Sequence, residues 1–152
     1  MKSTQNFVLS AILFSLTSLI AIIGLSSCCD CRFSRRLEQP LVGTEWQLVQ
    51  LMARDITPAA DSYTLLFHSD GTMTGSGDCN RLTATYTATE SRSLLIDNIG
   101  STRRLCPDFK TENEFVEVLD SATHYQMDAN YMLLLSDGTL VAIFKAVPAA
   151  EE

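Results

Sequence analysis

Five cysteines and two histidines carry most of the reactive chemistry open to this 152-residue chain. Cys28, Cys29 and Cys31 cluster behind a long apolar run. Cys79 and Cys106 stand well inside the rest of the chain, 106 − 79 = 27 positions apart. Such a pair can be a disulfide, a redox couple or part of a metal site. No His stands beside either one, so the four ligands that a structural zinc takes are not assembled. A structural disulfide is the simpler expectation if the chain enters an oxidising space, and it would stabilise a small domain by roughly 3–4 kcal/mol in the chain-entropy model. Cys29 and Cys31, with one residue between them, could take a soft metal or pair with another chain, but nothing nearby completes such a site. No metal or other cofactor is expected.

His68 and His124 are the only side chains that titrate near neutrality without a perturbed pKa. His68 is expected at a strand end before a turn, and His124 at the close of a helix, where it would meet the carbonyl end of the dipole. Ser69 and Asp70 adjoin His68, but a catalytic triad is assembled in space and not by sequence adjacency. Glu112, Glu114, Glu117 and Asp120 read as one solvated acidic helix face. Gly71, Gly75 and Gly77 lack the spacing and the following Lys of a phosphate-cradling loop. Arg103-Arg104 is a small basic spot, expected on the surface. No catalytic residue is expected.

The residues before Cys28 decide where this chemistry takes place. Lys2 is the only charge among the first 29 residues, and residues 7–25 are apolar apart from a few small polar side chains. The run ends in Leu25-Ser26-Ser27-Cys28. A basic start, an apolar core and a small-residue cleavage site make an export signal. The last four residues resemble the bacterial lipobox, which implies cleavage before Cys28, acylation of that Cys, and anchorage to the outer membrane or to the periplasmic face of a membrane. The competing reading, an uncleaved membrane anchor, exports the remainder equally well.

Removing residues 1–27 leaves enough chain for one domain. The mature charge is 10 − 18 = −8, since all acidic residues and all basic ones except Lys2 follow Cys28. That argues against a nucleic-acid partner and disfavours electrostatic binding to anionic lipid. Residues 28–40 show no periodicity and end in Pro40, which reads as a tether. Residues 41–148 form the domain.

Within the domain the pattern is mostly of strands. Residues 45–51, 63–68, 72–75, 82–87, 93–97, 131–135 and 140–144 alternate or run apolar as strands do. Asp70-Gly71 and Asp137-Gly138 mark hairpin turns. Residues 54–62 and 98–107 read as loops. One helix is expected over 112–123, with Thr111 and Glu114 as a capping box and Phe115, Val118, Leu119 and Ala122 as its apolar stripe. The expected fold is therefore mainly β (α+β), a curled, antiparallel-rich, barrel-like sheet with one covering helix. Trp46, in the first strand, is expected in the core.

Several of these segments resemble elements of the META domain family, which includes the HslJ-like heat-shock lipoproteins. Gly43-Thr44-Glu45-Trp46-Gln47-Leu48 is similar to its opening pattern. Gly75-Ser76-Gly77-Asp78-Cys79-Asn80 is similar to its Gly-x-x-Gly-Cys-Asn element, with Asp78 in place of Gly. Ala84-Thr85-Tyr86 stands where the family has Gly-x-Tyr, and Ser101-Thr102-Arg103-Arg104-Leu105-Cys106 matches a further element ending in Cys. The resemblance runs from Leu41 to about Val147. It implies a compact barrel-like fold with a covering helix and an envelope location, but no enzyme. Its spacing also agrees with a Cys79–Cys106 disulfide.

Together these readings describe a non-enzymatic, lipid-anchored envelope protein with a monomeric domain that binds an envelope partner or serves a stress response. Two alternatives stand beside it. One is a small-molecule binder using an apolar barrel interior or a protease-inhibitor-type loop. The other is a hydrolase using His68 or a carboxylate.

Overall fold

The computed structural model describes residues 38–105, 107 and 109–148. The expected export signal with Cys28, most of the tether, and Cys106 lie outside the described residues. Among the described residues nine strands and one helix follow one another as β1 (Glu45–Leu51), β2 (Arg54–Asp55), β3 (Thr64–Phe67), β4 (Thr72–Ser76), β5 (Arg81–Ala88), β6 (Leu94–Ser101), α1 (Phe109–Asp120), β7 (His124–Asp128), β8 (Tyr131–Ser136) and β9 (Thr139–Ala146). All strands lie in one sheet, ordered β6-β5-β4-β3-β1-β9-β8-β7, with β2 paired to β1. Every pairing between these strands is antiparallel. β1 pairs with β9, so the two ends of the domain meet in the middle of the sheet.

The sheet curls until its two outermost strands nearly touch. An isolated bridge joins Ser93 to His124. The amides of Leu94 and Tyr125 add bonds to Thr123 O (2.9 Å) and Arg92 O (3.0 Å). Beyond that corner the sheet stays open. The barrel-like expectation thus holds as a curl that is joined at one corner and not closed.

The inside of the curl is filled by side chains at alternate strand positions. Trp46, Leu48, Leu65, Phe67, Met73, Met132, Leu134 and Phe144 are wholly buried. Trp46 is in the core as expected, and its indole N–H donates to Leu41 O at 3.1 Å, which spares a buried donor its desolvation cost. The helix supplies Phe115, Val118 and Leu119 of the expected apolar stripe, and Ala122 lies just past its end at Asp120, short of the expected 123; all four are buried. The Phe115 ring meets Tyr63 edge-on at 5.4 Å and Phe144 at 6.1 Å.

The elements that differ from expectation have local causes. β2 arises because Met52 and Ala53 both take positive φ (47° and 61°) and close a two-residue turn onto Arg54. A turn of this kind normally advertises itself with Asn or Gly, and neither is there. β6 runs on to Ser101 where a loop was expected. It does so through an irregularity opposite Ala84, where Asn98 adopts φ 55° and its side-chain amide donates to Thr85 Oγ1 at 3.0 Å. α1 begins at Phe109, so Thr111 lies inside the first turn and is not its cap. His124 opens β7 and does not close the helix. The two expected hairpins are present, with Gly71 and Gly138 both at φ 82°. In the first, Asp70 accepts from the Thr72 amide (2.9 Å) and hydroxyl (2.6 Å), bonds that hold its carboxyl below the usual range.

Candidate functional site

The most heavily bonded polar cluster lies where β4, β5, the stretch after β6 and the start of α1 converge. Its centre is Asn80, 4 % exposed, with Glu112, 7 % exposed. Asn80 Nδ2 donates to Arg104 O (3.1 Å) and to Glu112 Oε1. Asn80 Oδ1 accepts from the Thr102 hydroxyl (2.8 Å) and the Arg104 amide (2.5 Å). An amide side chain offers two donors and two acceptor lone pairs, and here each has a partner. Glu112 Oε2 in turn accepts from the Cys79 and Asn80 backbone amides at 3.2 and 3.3 Å. A buried carboxylate is tolerated when it is bonded in this way.

Glu112 therefore does not belong to a solvated acidic face. It points inward and holds the Cys79-Asn80 bend, while Glu117 and Asp120 are not buried. Glu114 is half-buried and forms an ion pair with Arg54, which ties the β1–β2 hairpin to the helix.

The glycines around the bend serve close approach and not unusual backbone angles. A Cβ on Gly77 would lie 2.6 Å from the Glu112 carboxylate, and one on Gly75 would collide with Thr64 O. Neither takes a positive φ. Asp78 and Ala84, which stand where the family pattern has Gly, also avoid the left-handed region. The departures at these positions thus cost no backbone strain.

This knot forms one wall of a polar cleft of about 540 Å³ on the outer face of β3, β4 and β5. Thr64, Thr74, Ser76 and Thr83 line it, together with Glu45, Asp61, Asp78 and Arg81. A second groove of about 760 Å³ runs over the ends of the domain past Gln39, Gly43, Asn130 and Pro148. Both include Glu45 and Leu66, so they adjoin.

The two histidines stand at different places in this arrangement. His68 Nε2 is 2.8 Å from Thr74 Oγ1 on the β3–β4 hairpin, and His124 Nδ1 is 3.1 Å from Thr123 Oγ1 at the joined corner of the sheet. Among the described residues no group of three or more His, Cys, Asp or Glu side chains could hold a metal ion. Among the same residues no helix is long and apolar enough to cross a membrane. Glu38 and Gln39, expected at the end of the tether, are held by the domain. Glu38 pairs with Arg92 at 2.7 Å, and the Gln39 amide donates to Ala129 O.

Comparison with known proteins places this geometry. The model of the META domain matches residues 39–148. A crystal structure of a DUF4847 family protein from Bacteroides vulgatus superposes with a TM-score of 0.54 at 24% identity, covering 70% of this chain and 93% of that one. An NMR structure of a protein from Burkholderia xenovorans gives 0.56 at 26% identity, covering 72% and 85%. A further NMR structure gives 0.55 at 18% identity, covering 67% and 87%. No curated protein matches the chain.

Proposed function

The chain belongs to the META domain family, and from that premise we propose that it is a lipid-anchored envelope protein whose domain binds a partner without catalysing a reaction. Anchorage would be through an acylated Cys28, following Leu25-Ser26-Ser27. The observation that carries the binding role is the Asn80–Glu112 knot. It spends one buried amide and one buried carboxylate on bracing the β4–β5 bend, which the Gly77 amide also closes onto Asn80 O at 2.7 Å, and that bend walls the polar cleft. Preorganising a loop in this way lowers the ordering cost of binding.

A Cys79–Cys106 disulfide belongs to the same reading. Cys79 does not stand as a free thiol. Asn80 bonds both backbone groups of Arg104, two positions before Cys106, and so draws the two segments together. A disulfide would make covalent what Asn80 and Glu112 do with hydrogen bonds. The inside of the curl is packed with Trp46, Phe67, Phe115 and Phe144, so a small-molecule ligand would have to use the outer cleft and not the interior.

The test is crosslinking capture from bacterial envelopes with the full-length protein and with Thr83→Arg, a substitution at an exposed position that fills the cleft. The proposal expects a discrete partner that the variant loses while its thermal midpoint is kept. Equal recovery by both proteins would place binding elsewhere. Turnover of ester or glycoside substrates that Thr83→Arg abolishes would favour the hydrolase reading.

A further inference from the structure

We propose that the outer face of β8 and β9 docks onto the membrane to which the chain is tethered, with the headgroup layer of zwitterionic lipid as its partner. The register puts three cross-strand pairs on this face: Tyr131 with Lys145, Leu133 with Ile143, and Leu135 with Leu140. Residues directly opposite one another in an antiparallel pair share one side of the sheet. The alternate residues Met132, Leu134, Ala142 and Phe144 fill the curl. A register shift beside Leu135 leaves Val141 as the extra residue and so keeps Leu140 opposite Leu135. Leu140 is 41 % and Tyr131 40 % exposed, and Leu133, Leu135 and Ile143 are part-exposed and take no part in the core. A sheet face open to water ordinarily carries polar residues at such positions. Polar side chains return on the strands to either side. His124, Gln126 and Asp128 of β7 and Gln47 and Gln50 of β1 stand opposite these pairs. An apolar ladder with a polar rim is the form of an interaction surface.

The place where the chain enters the domain selects the occupant, and on this point the inference rests on the lipid-anchored reading. The Gln39 amide donates to Ala129 O, in the two-residue turn that leads into Tyr131. The Tyr131–Lys145 pair is therefore the rung nearest the tether, and Leu135, four residues further along β8, lies about 13 Å beyond it. The 39 − 28 = 11 residues from Cys28 to Gln39 reach at most about 36–40 Å when extended. An acylated Cys28 thus keeps the whole ladder within reach of the bilayer. Tethering makes docking intramolecular, at an effective concentration on the order of 1 mM, so a face too small to bind lipid from solution suffices once the chain is anchored.

The side chains suit the headgroup layer. A tyrosine ring and a lysine stem find apolar contact there while the hydroxyl and the ammonium stay wet. Charge does not drive the contact. Tyr131 stands between Lys145 on one neighbouring strand and Asp128 on the other, so the face has no excess of cations to seek anionic lipid.

The experiment uses full-length Tyr131→Trp protein, purified from membranes and reconstituted into phosphatidylcholine vesicles with brominated acyl chains as quencher. Spectra are read as differences from the unsubstituted protein, whose Trp46 is buried. Thr83→Trp, at an exposed position on β5, four strands from β9, is the control. The expected result is a blue-shifted emission from the indole at 131, quenched at least about threefold more than the indole at 83. Added phosphatidylglycerol or about 1 M salt should leave that ratio unchanged. Adding Leu140→Glu or Ile143→Thr to the Tyr131→Trp protein should return its indole to water with the thermal midpoint kept, since neither side chain belongs to the core. An indole at 131 that stays aqueous overturns the proposal, as does equal quenching at 83 or quenching that requires anionic lipid. So does an indole that becomes shielded only when envelope proteins are added, which would assign the face to a protein partner. Flotation with the vesicles reports anchorage separately. A floating protein whose indole at 131 stays aqueous fails the docking claim alone, and a protein that does not float fails the anchored reading and the docking with it.

Discussion

At the residue scale the polar knot turns on Asn80. Replacing it with Ala would leave the Arg104 amide and carbonyl, the Thr102 hydroxyl and part of the Glu112 carboxylate without their partner. The Glu112 carboxylate is buried, so water cannot readily replace its lost donor, while Thr102 and Arg104 belong to exposed residues that water reaches more easily. Asn80→Ala should therefore lower stability by about 2–3 kcal/mol. Urea unfolding of both proteins checks this, and a midpoint left unmoved would show the knot to be incidental. The chemistry of this knot was only half legible in the sequence. The resemblance quoted Asn80 within its Cys-Asn element, but Glu112 looked like one more member of an acidic helix face. Wheel position does separate it from Glu117 and Asp120. What sequence could not supply was the bend of another element arriving over the first turn with two open amides. Trp46, by contrast, was readable, because strand alternation alone puts a large aromatic on the inner face.

At the scale of elements, α1 is held by its apolar stripe and by two polar ties near its start, Glu112 to the bend and Glu114 to Arg54. Its packing centres on Phe115, which touches Tyr63 from the approach to β3 and Phe144 from β9. Phe115→Ala should cost about 3–5 kcal/mol, as truncation of a wholly buried aromatic does. It should also loosen the 79–80 bend, because Glu112 rides on the same helix. Amide hydrogen exchange at Cys79 and Asn80 reports this directly, and protection that survives in the variant would mean that the bend is held independently of the helix. The periodicity of this helix was plain in the sequence. Its exact start was not, since Thr111-Glu112-Asn113-Glu114 imitates a capping box inside the first turn. The short β2 strand was hidden for a different reason. Its turn uses Met52 and Ala53 at positive φ, a conformation that these residues accept only when the strands on both sides impose it.

At the scale of the molecule, antiparallel strands with short turns bring the two ends of the domain together at β1 and β9 and leave the curl joined only at the corner of Ser93 and His124. The mainly β architecture and the covering helix followed from period-two patterning and one amphipathic run. The order of the strands did not follow, because nothing local specifies that β9 should return beside β1. The envelope reading draws on the other end of the chain, where the apolar run and Leu25-Ser26-Ser27-Cys28 stand. If it holds, Cys28→Ser should leave an uncleaved, unacylated precursor. The most direct measurement is non-reducing peptide mapping by mass spectrometry of the protein recovered from envelopes. The expected result is a mature N-terminal peptide that begins at an acylated Cys28, together with a crosslinked peptide joining Cys79 to Cys106. A product that begins elsewhere without lipid would contradict the anchored reading, and free thiols at both positions would contradict the disulfide.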